Sequence, residues 1–165
     1  MALIDVIENI DESNFKSHRD ELIDLYVELM AGIIKYQDES GLWYQVMGLE
    51  KKDGNYLETS ATLMFAYSLL KGSRLNILDE SYLEKGKKAF NGVIDSNLKE
   101  NNGNLELKNI CIMAGLNGLI PFNGDRDGSF EYYISEKVGV DDPKGVGPLF
   151  KAYSEIVLLS NQGGY

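Results

Sequence analysis

This 165-residue sequence predicts an all-α protein built in two layers, and three observations carry the prediction. Segments with a single apolar stripe (17–37 and 80–98) alternate with segments apolar nearly all round (57–71 and 146–159). The two all-apolar segments echo each other weakly, as FAYSLL at 65–70 and KAYSEI at 151–156. Only short β-like stretches lie between them. A one-striped helix suits an outer layer and a helix apolar all round suits an inner one. About five helices alternating between inner and outer layers therefore form part of a ring, with β-like segments in its loops.

The elements follow in order. MALIDVIENI (1–10) places Met1, Leu3, Ile4, Ile7 and Ile10 on one helical face, low in charge, and reads as an inner helix. No N-cap precedes it, so the helix is expected to be cut from a larger ring. In 17–37, Leu22, Leu25, Tyr26, Leu29, Ile33 and Tyr36 form an inward stripe, with Ser17 as N-cap. GLWYQV (41–46) is short and β-like, and Asp53-Gly54 marks a turn. The helix 57–72 has no charge between Thr59 and Leu70, and Gly72 is its expected C-cap. In 80–98, Tyr82, Leu83, Phe90, Val93, Ile94 and Leu98 face inward. NNGN (101–104) is a turn, 105–113 alternates like a short strand, and a glycine-rich loop leads to FEYYISEKV (130–138), again β-like. The last helix spans 145–160 with Pro148 in its first turn, and the tail frays.

Composition narrows the function. The formal charge of −10 argues against a nucleic-acid binder, which needs a basic footprint. Any anion site must be local. The single cysteine, Cys111, cannot form an internal disulfide and reads as a small buried apolar residue. The single histidine, His18, excludes a multi-histidine zinc site within this chain. No metal or cofactor is expected. No apolar run is long enough to span a membrane, and the first ten residues lack the basic start of a secretion signal. The expected location is cytoplasmic.

Four stretches carry a resemblance. GLWYQV (41–46), GNYLETSATLMFAYSLLKG (54–72), RDGSFEYYISE (126–136) and DDPKGVGPLFKA (141–152), in this order and spacing, resemble the C-terminal half of glycoside hydrolase family 105. These are unsaturated rhamnogalacturonyl hydrolases, relatives of the family 88 unsaturated glucuronyl hydrolases. The resemblance covers essentially the whole chain and implies part of an (α/α)6 barrel about twice this length. It also implies a chemistry in which an aspartic acid protonates the C4=C5 vinyl ether of a terminal unsaturated uronic acid and water adds at C5. The hemiketal then opens and the glycosidic bond is lost, with no covalent glycosyl-enzyme intermediate. No aspartate of this chain matches the family's catalytic position, so no catalytic residue is assigned.

Candidate substrate contacts each have a structural alternative. Trp43, Tyr44 and Gln45 either stack on sugar or pack over helix ends. Tyr56, Glu58, Thr59 and Ser60 open an inner helix, where free N–H groups favour anions, yet Glu58 and Thr59 serve equally as caps. Arg126, in a loop that also holds Asp125, Asp127, Glu131, Tyr132, Tyr133 and Glu136, either grips a carboxylate or braces its own loop. Lys144 either touches an anionic sugar or is simply solvated. The expected partners are an unsaturated uronic-acid oligosaccharide, and either an N-terminal half or a second copy closing the ring. The alternative function is a non-enzymatic homodimeric or sugar-binding module. A further alternative is an interrupted reading frame, with Met1 internal to a longer enzyme.

Overall fold

The computed structural model describes residues 1–116 and 126–161. Asp125 and most of the tail lie outside the described residues. The helices are α1 (Ala2–Asn9), α2 (Glu12–Ile33), α3 (Thr59–Arg74), α4 (Glu80–Asn97), α5 (Phe130–Ser135) and α6 (Pro143–Asn161). Three two-stranded antiparallel pairs join them: β1 (Trp43–Tyr44) with β2 (Leu57–Glu58), β3 (Leu98–Asn101) with β4 (Asn104–Leu107), and β5 (Ile110–Cys111) with β6 (Val138–Gly139).

Side-chain contacts fix the helix directions. Met1 donates its amine to Ser68, Asp5 pairs with Lys71, and Glu8 pairs with Arg74, so α1 and α3 run parallel. Lys151 lies over the Tyr67 ring and Glu155 pairs with Arg74, so α6 is parallel to them. Asn97 meets Thr59 while Gly86 lies against Leu70, so α4 runs antiparallel to α3. Tyr26 bonds to the Ser68 carbonyl, whereas Trp43, hung on Ile33, bonds to Thr62, so α2 is antiparallel as well. Three parallel inner helices carry two antiparallel outer ones, the partial barrel that the alternation predicts. The core centres on α3, which buries Leu63, Ala66, Leu69 and Leu70 together with Ile4, Ile7, Trp43, Ala89, Val93 and Ala152.

Several local expectations are corrected. The second helix starts before Ser17, because the Asp11 carboxylate accepts from the Ser13 N–H and from the Ser13 and Asn14 side chains, a complete N-cap. Gly72 is interior to α3, not its C-cap, which is Leu75. A Cβ on Gly72 would collide with the Tyr26 hydroxyl and lie 2.8 Å from Leu78 Cδ1, so the glycine permits close helix approach. Segment 130–138 is not simply β-like. The Ser129 hydroxyl accepts from the Tyr132 N–H and starts α5, and only Val138–Gly139 pairs as strand. Pro148 lies inside α6, because Pro143 takes the first-turn position behind the Asp142 cap.

The stripe on α2 is also split. Tyr26, Met30 and Ile33 enter the core, but Leu25, Leu29 and Tyr36 are exposed and line a groove with Gly32 and Met47. On the opposite flank, α6 exposes Phe150, Tyr153, Val157 and Leu158. Both ends of the arc therefore present apolar surface.

Candidate functional site: a cleft at the inner-helix N-termini

The β-pairs gather where α3 and α6 begin. β2 runs directly into α3, and the Thr59 N–H and hydroxyl bond to the Asn109 and Lys108 carbonyls. That contact seats β5 beside the start of α3, and β6 pairs with β5 just before α6. Between them opens a cleft of about 350 Å³, lined by Gln45, Glu58, Ser60, Cys111, Met113 and Lys144 among others.

Glu58 is 1% exposed. Its carboxylate accepts from the Ser60 hydroxyl (2.8 Å), the Ala61 N–H (2.6 Å) and the Cys111 N–H (2.9 Å). It is the N-cap of α3 and the tie between α3 and β5. Asp142 does the same for α6, accepting from the Lys144 N–H at 2.9 Å and pairing with Lys144 Nζ at 2.8 Å. Lys144 Nζ and the Lys144 N–H lower the Asp142 carboxyl below its ordinary range. A carboxylate at a helix N-terminus satisfies its orphan donors and offsets the dipole. Two inner-helix ends at this cleft are thus occupied by the chain's own anions.

Tyr56 lies beside Cys111, and burial first, then the neighbouring Cys111, pushes its hydroxyl above the usual range. That oxygen is buried with no hydrogen-bond partner among the described residues. Gln45 is half-buried, and its side-chain amide donates to Cys111 Sγ at 3.5 Å. Arg126 pairs with Glu136 at 3.5 Å. Tyr132 is buried and brackets Gly115, donating its hydroxyl to the carbonyl and accepting from the N–H. Tyr44 is half-buried on β1, one residue along from the fully buried Trp43.

The structure therefore brings Glu58, Ser60 and Lys144 together, with Tyr56 nearby. Arg126 and Tyr132 brace the adjoining segment. Trp43 is placed elsewhere. None of its ring is exposed, its N–H donates to the Ile33 carbonyl at 2.8 Å, and it packs edge-to-face on Phe65. Cys111, expected as a buried residue, is mostly buried yet lines the cleft, as does Gln45. Their meeting depends on strands two residues long, whose long-range pairing leaves no sequence signal. Among the described residues, no His, Cys, Asp and Glu cluster suits a metal ion, and no helix is long and apolar enough to cross a membrane.

A parallel inner layer, an antiparallel outer layer and a cleft at the inner-helix N-termini define part of a two-layer helical barrel. Residues 1–159 match the model of Glycosyl Hydrolase Family 88, and the chain belongs to that family. It is 40% identical over 166 residues to Protein Atu3128 of Agrobacterium fabrum and to the 24.9 kDa protein in the picA locus of Rhizobium radiobacter. In each case the match covers 97% of this chain and 69% of the relative. A Clostridium structure, the family 105 glycoside hydrolase of C. acetobutylicum, superposes with a TM-score of 0.86 at 41% identity, over 94% of this chain and 42% of that one. A Klebsiella pneumoniae protein described as a possible member of GH105 superposes at 0.73 and 25% identity, over 94% of this chain and 36% of its own. The chain thus spans well under half the length of these solved relatives.

Proposed function

We propose that this chain is the C-terminal portion of a hydrolase that removes unsaturated uronic acid from rhamnogalacturonan-derived (pectin) oligosaccharides by hydration of the vinyl ether. The observation that supports the reading is the cleft, an open groove at the inner-helix N-termini of a family 88 fold whose largely apolar lining carries a few polar side chains. In this reading residues 1–165 supply one wall of the substrate cleft, with Glu58, Ser60, Lys144 and Tyr56 at or near it and Arg126 and Tyr132 shaping its rim. The aspartic acid that protonates C4 comes from outside these residues. The reaction takes place in the cytoplasm, a setting compatible with one unpaired cysteine.

The purified chain is expected to leave the ultraviolet absorbance of an unsaturated galacturonyl-rhamnose disaccharide unchanged. Loss of that absorbance, abolished by a point substitution in this chain, overturns the reading.

The apolar flanks on α2 and α6 favour a second reading, a homodimeric interaction or sugar-binding module in which each copy covers the other's open edges. Light scattering then reports a dimer. A well-folded monomer at high concentration removes this second reading.

A further inference from the structure

The cleft differs from the anion site that two helix N-termini lead one to expect. Glu58 caps α3 and Asp142 caps α6, each through backbone N–H groups that an anionic ligand would otherwise take. The cation at the rim, Lys144, is held at 2.8 Å by Asp142. A carboxylate entering here would meet the Glu58 carboxylate in the lining and a rim lysine, Lys144, that is already paired.

What the cleft does offer is hydrogen bonding with neutral groups. The backbone of Gln45 is pinned, because its N–H donates to the Tyr56 carbonyl at 2.8 Å, just beyond the β1–β2 pair. Its amide carries two donors and an acceptor, and its side-chain contact among the described residues is one long bond to a thiol sulfur. Sulfur is a weak acceptor, so exchanging it for a sugar oxygen costs little. The Tyr56 hydroxyl is buried beside the same sulfur, so the Gln45 amide is the donor of this corner that lines the cleft. The Ser60 hydroxyl donates to Glu58 and keeps its lone pairs for an incoming O–H.

We infer that the Gln45 amide is the specificity-determining group of this wall, and that it reads neutral vicinal hydroxyls of the substrate, with Cys111 as its resting partner, rather than the uronate carboxylate. The inference rests on the sugar-cleft reading above and refines it, since this wall takes the hydroxyl-bearing neutral sugar next to the uronate.

The test is a titration of the ¹⁵N-labelled full chain with the unsaturated galacturonyl-rhamnose disaccharide. The side-chain NH₂ signals of Gln45 are expected to move with the cleft backbone signals. Gln45→Leu is expected to weaken binding about fivefold, the loss of one net hydrogen bond. Lys144→Ala is expected to weaken binding less than Gln45→Leu does, because its ammonium group is already paired with Asp142. Raising salt from about 20 to about 300 mM is expected to change affinity less than about twofold, because no exposed charge pair is formed. Cleft shifts with an unmoved Gln45 amide, and with Gln45→Leu binding normally, overturn the inference while leaving the sugar-cleft reading standing. Binding lost in Lys144→Ala and at high salt also overturns it, in favour of carboxylate recognition. An unsubstituted chain whose cleft signals do not move overturns both.

Discussion

Replacing Trp43 by alanine is expected to remove about 4 kcal/mol of folding stability, the cost of deleting a fully buried indole and leaving a cavity. Trp43 has no exposed surface, packs on Phe65 with ring centroids 5.1 Å apart, and satisfies the Ile33 carbonyl, which marks the end of α2. Its own backbone N–H is held by the Thr62 hydroxyl at 3.1 Å. One residue thus ties α2, β1 and α3 together. Urea unfolding followed by far-ultraviolet circular dichroism measures the loss. Trp43→Phe keeps most of the packing and gives up the N–H bond, so a smaller cost of about 1–2 kcal/mol is expected. Fluorescence adds a direct check, since the chain has a single tryptophan. Its emission is expected at the short wavelengths of a buried indole and unchanged when sugar is added. A red-shifted emission that responds to sugar contradicts the core placement.

Trp43 shows why the architecture was more legible in the sequence than the site. The absence of charge between Thr59 and Leu70 states that α3 is surrounded, and the structure buries that helix on nearly every side. Asn102-Gly103 dictates a two-residue hairpin turn, and both residues have positive φ. Periodicity, however, gives faces without saying which neighbour covers them. Leu25 is 100° round the helix from Tyr26, and only the fold decides that Tyr26 meets α3 while Leu25 faces open flank. Gly72 illustrates the same limit, because a glycine at a helix end suggests a cap, and only the Tyr26 hydroxyl above it reveals a contact. At the site, a Glu two residues before a Ser reads equally as cap or ligand. The Cys111 N–H, brought in from 53 positions away, shows that Glu58 is committed to the chain itself. Long-range pairings of that kind are what sequence spacing omits.

Lys71 is the other position where a substitution has a large expected effect. The sequence places it as the first charge at the end of an apolar helix, yet its side chain is only 6% exposed. Its ammonium group bonds Asp5 at 2.5 Å, Glu8 at 2.7 Å and the Tyr67 hydroxyl at 2.9 Å. Arg74 extends the cluster to Glu8 and the buried Glu155, and Lys151 reaches Asp5 from α6. Three cations and three anions thus hold the three parallel inner helices in register. Lys71→Met leaves Asp5 and Glu8 without their most buried partner and is expected to cost about 3 kcal/mol, at the low end for a broken buried pair because both acids keep about a third of their exposure. Adding Asp5→Asn to that variant is expected to recover part of the loss, since the stranded charge is removed. The pH dependence follows from the same geometry. Burial raises the Asp5 carboxyl, but hydrogen bonds from Lys71, Tyr67 and Lys151 outweigh it and hold the group at about 2, below its ordinary 3.8. Glu8 is lowered too, by hydrogen bonds from Lys71 and Arg74. A depressed carboxylate adds stability that is complete above its unfolded value and lost as pH falls through its folded one. The urea midpoint is therefore expected to fall as pH drops from about 4 towards 2, and Asp5→Asn is expected to flatten that slope. A midpoint whose acid limb is as steep in Asp5→Asn as in the unsubstituted chain assigns the acid sensitivity to other carboxylates.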